Sequence, residues 1–231
     1  GTKVKLEIYR NGETKTFELT RTKVVVSHVT TKVLNNDIGY IAISDFEGEC
    51  ASEFETKYKQ LEKQGIKKLI IDIRNNGGGI VDEALKIANM LVDKDSTLLI
   101  TKDKSDKEEI TKATEKPIIN MPTVVLVNGY SASASEILAG ALKDNGKATL
   151  VGTKTYGKGI IQELHQLSDG SGLKITTEEY YTPNHNKINK EGITPDVEVD
   201  LTKNAEGKYE TEFDKDAQVK KALETIKTKI K

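Results

Sequence analysis

Lys67-Lys68-Leu69-Ile70-Ile71-Asp72-Ile73, running directly into Arg74-Asn75-Asn76-Gly77-Gly78-Gly79, decides the fold. An unbroken apolar run of this length reads as a strand buried on both faces. The glycines that stop it are followed by Val81, Ala84, Leu85, Ala88 and Leu91, which share one stripe of a helix. Upstream lie a strand over 38–44 (IGYIAIS) and a helix over 51–64, with Phe54, Tyr58 and Leu61 on one face. Downstream come a strand over 96–104, a charged segment to about Lys116 expected to be solvated, a strand over 123–128 (TVVLVN), a helix from Ser131 to Asn145 and a short strand over 148–152. Strands alternating with helices predict an α/β chain built of βαβ units around a largely parallel sheet.

The flanks read differently. IIQELHQL (160–167) and LKITTEEYYTP (173–183) alternate on either side of Ser168-Asp169-Gly170-Ser171-Gly172 and predict a hairpin. Residues 1–20 alternate around Asn11-Gly12, a strong hairpin signal. Two strands alone are marginally stable, so this hairpin is expected to lean on something, as the end of a module that begins upstream. From Asp214 onward, Val219, Leu223 and Ile226 at helical spacing predict a surface helix.

Composition excludes several functions. Basic residues number 35 against 36 acidic, for a net charge of -1, so no global field would hold a nucleic acid. The single cysteine, Cys50, has no disulfide or metal-ligand companion and is expected to be a half-buried thiol near a loop. His28, His165 and His185 are scattered and suggest neither a zinc site nor a histidine triad; no metal and no cofactor is expected. No stretch reaches a membrane span, no signal peptide opens the chain, and Gly1 in place of Met suggests a processed form or an excised piece.

Chemistry in parallel sheets gathers where strands hand over to helices. At the Gly77-Gly78-Gly79 turn the backbone is free to aim N–H groups at a ligand, as an oxyanion hole or anion nest does, although a turn needing positive φ would use the same residues. The second junction, Asn128-Gly129-Tyr130-Ser131-Ala132-Ser133-Ala134-Ser135-Glu136, sets three serines among small residues after a buried strand. Capping by Ser131 as the helix N-cap would account for one serine but not three.

A serine hydroxyl needs a base, and no histidine is placed to serve. Lysine can do so only once desolvation lowers its pKa from an ordinary value of about 10.4. Lys158, in Tyr156-Gly157-Lys158-Gly159-Ile160-Ile161, has the glycine-bounded apolar setting that predicts burial. Gly152 to Gly159 matches a phosphate-binding G-x-x-x-x-G-K loop up to its last place, where Gly159 stands instead of Ser or Thr and a strand pattern follows instead of a helix.

With these residues in view the chain resembles the C-terminal processing (tail-specific) serine peptidases. The motifs that carry the resemblance are Asp72 to Asn76 with Gly78-Gly79, Ser131 to Glu136, Gly157-Lys158-Gly159 with Gln162, Tyr180-Tyr181-Thr182-Pro183, and Gly192-Ile193-Thr194-Pro195-Asp196. The resemblance implies a ClpP/crotonase-like core over 23–213, a C-terminal remnant of a PDZ domain over 1–22 and a C-terminal helix over 214–231. It also implies Ser133 as nucleophile, Lys158 as base, Gln162 orienting the lysine, and oxyanion donors from Ala134 and the glycine pair, Gly79 in preference to Gly78. Where family members often carry proline before that pair, this chain has Gly77.

The implied reaction is acyl transfer to Ser133 followed by hydrolysis, on protein or peptide substrates with flexible C-terminal tails, with activity rising toward alkaline pH. A homo-oligomer is possible, and an extracytoplasmic or membrane-associated location is inherited from the resemblance. Two other readings compete: a catalytically silent peptide-binding fragment, and a crotonase-like enzyme acting on acyl-CoA thioesters.

Overall fold

The computed structural model describes residues 1–24, 26–203, 210 and 212–228. Its centre is a six-stranded sheet made of β3 (Val29–Leu34), β4 (Ile38–Ile43), β5 (Lys68–Asp72), β8 (Thr123–Val127), β9 (Thr149–Gly152) and β12 (Val197–Glu198), in the order β12-β9-β8-β5-β4-β3. All pairings are parallel except β3 with β4. Register aligns Ile41 with Ile71 and Ile71 with Val125.

Pleating explains why β5 and β8 read as unbroken apolar runs. Leu69, Ile71, Val125 and Val127 face one way, into a core shared with α1 (Cys50–Lys63), α2 (Val81–Asn89) and α3 (Ala134–Asp144). Ile70, Val124 and Leu126 face the other way, where α4 (Ala217–Thr228) covers them with Val219, Ala222 and Ile226. The expected surface helix is therefore part of the core: all three of those side chains are buried. A charge-rich helix still carries a buried stripe when a sheet face would otherwise lie bare.

A second sheet, in the order β10-β11-β6-β7, is wholly antiparallel and comprises β6 (Thr97–Asp103), β7 (Glu108–Lys112), β10 (Ile160–Gln166) and β11 (Gly172–Tyr181). The 160–183 hairpin forms as the alternation predicts. Part of the charged segment expected to be solvated is a strand instead, β7, exposed at every residue and held by pairing with β6.

β1 (Lys3–Arg10) and β2 (Glu13–Thr20) form the predicted hairpin around Asn11-Gly12, but as a two-stranded sheet of their own. Every residue of β2 is exposed, and one face presents Leu6, Phe17 and Leu19 to solvent. The support expected for this hairpin does not come from the core sheet.

Candidate active site

Two strand-to-helix junctions meet because β5 and β8 are neighbours and end together, with the Ile73 N–H donating to Leu126 O at 3.1 Å. Asn76, fully buried, joins them. Its side chain donates to Ile43 O and accepts the Gly78 N–H at 2.9 Å, while its carbonyl accepts the Ala132 N–H and the Ser135 hydroxyl. Asn75 and Asn128 add a second tie: the Asn75 N–H donates to Asn128 Oδ1 and the Asn128 amide donates to Asn75 Oδ1 at 2.9 Å.

The three serines divide by environment. Ser131 is buried, donating to Ile73 O and accepting the Asn128 N–H. Ser135 is buried and donates to Asn76 O. Both are structural ties, and Ser131 is not the helix cap. Ser133 is: α3 starts at Ala134, and Ser133 precedes it with φ 59° and ψ -119°. A side chain held there costs on the order of 1–3 kcal/mol, which surrounding contacts must offset. Asn145 closes α3 as predicted, with Gly146 at φ 66°.

The compensating contact is Glu136, completely buried. Its Oε2 accepts the Ser133 N–H at 2.9 Å and the Lys158 N–H at 2.8 Å, and its Oε1 accepts the Thr155 hydroxyl at 2.6 Å and the Gly157 N–H at 2.7 Å. A buried carboxylate is tolerable only when such donors replace its water. One oxygen thus fixes the backbones of Ser133 and Lys158 relative to each other. The Ser133-x-x-Glu136 spacing of a capping box is the sequence signal for this tie; Thr155 carries none.

Lys158 departs from expectation. Its side chain is exposed, and its Nζ has no hydrogen bond or ion pair among the described residues. The flanking glycines answer to backbone crowding, not to a buried side chain. A Cβ on Gly159 would lie 2.3 Å from Asn189 N, and one on Gly157, at φ 89°, would lie 3.0 Å from Gly192 N. Gln162, after a register shift in β10, is also exposed, and its amide lies 3.4 Å from Thr176 Oγ1 across the hairpin, not against Lys158.

Facing Ser133, Gly78 has φ 107°, and a Cβ on it would lie 2.8 Å from the Ser133 Cβ, so only glycine fits. Its N–H is already committed to Asn76. Gly78 O and Ile80 N pair with Phe46, which turns the N–H of Gly79 the other way. The N–H of Ala134 opens α3, where no intrahelical acceptor exists. Neither the Gly79 nor the Ala134 N–H has a protein acceptor among the described residues.

Behind the glycine turn, Arg74 binds Asp72 at 2.7 Å and Asp216 at 2.6 Å, and the Tyr40 hydroxyl donates to Asp72 at 2.6 Å. Burial alone would pull the guanidinium down, but the bonds and charges of Asp72 and Asp216 outweigh it and hold it above its ordinary range. Burial and Asp72 together push the Tyr40 phenol up. Asp216 also accepts the N–H groups of Gln218 and Val219 at the start of α4, so α4 is pinned to the turn. The histidines lie apart, each beside its own carboxylate: His28 with Asp45, His165 with Glu163, His185 with Glu108.

A serine on a strained strand-to-helix turn, with unpaired N–H groups on both sides and a lysine loop tied to it, offers a hydroxyl beside donors that could hold an oxyanion. Residues 37–199 match the family model "Peptidase family S41", and the chain belongs to that family. It is 42% identical over 185 residues to the carboxyl-terminal-processing protease of Picosynechococcus sp., covering 79% of this chain and 44% of that protein. A probable CtpA-like serine protease of Staphylococcus saprophyticus is 39% identical over 202 residues, covering 87% of this chain and 41% of that one. Among solved structures, the photosystem II D1 C-terminal processing protease superposes with a TM-score of 0.71 at 37% identity, covering 89% of this chain and 58% of its own. The chain therefore spans less than half the length of these curated relatives.

Proposed function

We propose that the chain is the catalytic part of a serine endopeptidase in which Ser133 is the nucleophile and Lys158 the general base. The observation that carries this reading is the Glu136 oxygen shared by the Ser133 and Lys158 backbones, next to the unpaired N–H groups of Gly79 and Ala134. In the working state the Lys158 side chain turns from solvent into the cleft over the substrate and loses its water there. The neutral amine takes the Ser133 proton, Oγ attacks a peptide carbonyl, and the oxyanion rests on Gly79 and Ala134, with Gly78 fixing the turn. The resulting ammonium returns that proton to the leaving nitrogen, and the restored amine then takes a proton from the water that hydrolyses the acyl-enzyme and passes it to Ser133 Oγ. Gln162 meets Lys158 only in that state. No metal or cofactor is needed.

Unstructured protein substrates and flexible C-terminal tails fit this reading, as does an extracytoplasmic or membrane-associated setting. The bare apolar face of the β1–β2 hairpin is where the rest of a PDZ-like module would pack. The exposed Lys158 favours one competing reading, a peptide-binding fragment without catalysis.

Mass spectrometry of an unstructured protein incubated with the chain at pH 8 decides between them. Cleavage by the parent and none by Ser133→Ala or Lys158→Ala is expected, with activity rising toward alkaline pH because only an unprotonated amine accepts a proton. Cleavage that survives Lys158→Ala would remove lysine from the mechanism, and no cleavage by the parent would favour the silent reading.

A further inference from the structure

β10 is one free edge of the second sheet, and little in its sequence guards it. The opposite edge, β7, carries Glu108, Glu109 and Lys112, whereas β10 (IIQELHQ) has neither lysine nor proline. Residues of those kinds keep the open backbone groups of an edge from pairing with another chain. The register shift lies at the start of β10, between Ile161 and Gln162, so the strand runs on regularly from Gln162 to Gln166. Leu164 there is 75% exposed, and Leu167, Leu173 and Ile175 of the same hairpin are exposed as well.

The turn of the hairpin shows which backbone groups are open. The Leu167 N–H donates to Ser171 O at 2.8 Å, and Leu167 O accepts the Gly170 N–H at 3.0 Å, so Leu167 spends its backbone inside the hairpin. Antiparallel bonding alternates along the register, so His165 and Glu163 turn inward too, and Gln162, Leu164 and Gln166 point their N–H and C=O groups outward. A second copy pairing antiparallel must set outward residues against outward residues, which puts the two-fold axis on a residue of β10. On Glu163 the axis would bring two carboxylates together; on His165 it would oppose two imidazoles and leave Glu163 against Leu167. On Leu164 it sets Glu163 opposite His165 of the second copy twice over, with Ile161 opposite Leu167 and Gln162 opposite Gln166. An axis at Gln162 or Gln166 pairs less of the strand. Within one copy Glu163 and His165 already meet at 3.2 Å, so across the axis the two pairs form one network.

We infer that β10 is a homodimer interface, at which two copies of this chain join edge to edge about an axis at Leu164 and make one continuous sheet of their two four-stranded ones. The match of β10 to its own reverse, in charge and in apolar side chains, selects a second copy over an unrelated strand. The inference does not depend on catalysis.

Sedimentation velocity of the chain from about 1 to 100 μM should show monomer passing into dimer. Leu164→Lys, at an exposed side chain, should weaken the dimer more than about tenfold with the fold unchanged by circular dichroism. Glu163→Lys and His165→Glu each unmatch two pairs across the axis and should weaken it about tenfold, and the double variant, with the charges exchanged, should recover to within about threefold of the parent. On mild oxidation Leu164→Cys should crosslink to its own counterpart, since directly opposed residues of a bonded pair lie about 5.5 Å apart at Cα, within disulfide reach. Gln162→Cys should not, because it faces Gln166 instead.

A monomer throughout that range overturns the inference, and so does a dimer that Leu164→Lys leaves intact. A double variant no stronger than the single ones, or crosslinking of Gln162→Cys in preference to Leu164→Cys, overturns the pairing about Leu164. A monomer whose β10 amides gain hydrogen-exchange protection from an unstructured protein would give the edge to substrate instead.

Discussion

Glu136 has four donors and no solvent, so an isosteric change is enough to disturb it. In Glu136→Gln the new NH2 group must face two former donors. Turned one way it orphans the Gly157 N–H, and turned the other way those of Ser133 and Lys158. An unpaired buried donor costs about 1–3 kcal/mol, so urea unfolding should show a loss of about 2–4 kcal/mol, and cleavage should fall more than tenfold as Ser133 leaves its strained conformation. Equal urea midpoints would mean that the carboxylate is not the clamp. Cys50 gives a simpler test. It is completely buried at the start of α1, not half-buried as its sequence position suggested, and burial, with Glu83, Glu53 and Asp45 adding, pushes its thiol up to about 12. Iodoacetamide at pH 8 should leave Cys50 unmodified in the native protein and alkylate it in urea. Rapid native labelling would contradict this packing.

Between elements the helices are joined by carboxylates more than by their own caps. Glu83 of α2 accepts the N–H of Ala51 at 2.7 Å, supplying the cap that α1 lacks, and pairs with Lys86 at 2.6 Å. Burial would raise its carboxyl, but Lys86 and the Ala51 N–H outweigh it and hold it below the usual range. Glu53 of α1 is lowered in the same way, against burial, by Ser27, Lys57 and the His28 N–H. Both groups bind protons less readily folded than unfolded. The stability they contribute is complete above the ordinary glutamate value of about 4.3 and is lost as pH falls through their lower folded values. Glu83→Gln should therefore cost about 1–2 kcal/mol at pH 7, and the difference from the parent should close in acid. A gap independent of pH from 7 to 3 would show that the carboxylate charge is not what matters.

Sequence made the strand, turn and helix around 67–91 legible because each change of pattern there has a local cause: strand burial on both faces, glycines at the stop, an apolar stripe after it. β7 was hidden because Glu108–Lys112 buries nothing, and β3 and β12 because edge pairing and parallel addition of two residues leave little in the pattern. The serine junction was legible as a strand-to-helix turn, but its cap was not: Ser133, not Ser131, precedes α3. The glycines around Lys158 suggested a buried lysine, whereas they answer to backbone crowding and the side chain is exposed.

In the molecule as a whole, the hairpin of residues 1–20 shares no sheet with the core and buries little. Deleting it should leave the thermal midpoint of the remainder within about 2 °C, a shift well under 1 kcal/mol for a domain of this size. A larger loss would reveal a contribution that the burial pattern does not account for. The α4 staple has the opposite character. Arg74 reaches Asp216 across 142 residues of sequence, and α4, with Val199 and Phe213 beside it, closes the face of the sheet under Ile70 and Leu126. At roughly 5–20 residues per second of synthesis, on the order of ten seconds separate the making of the glycine turn from the arrival of its anchor. During that interval Arg74 has one of its two carboxylates and the sheet face above Ile70 and Leu126 still lacks α4, so the last strand-to-turn anchor closes only when the final helix has been made.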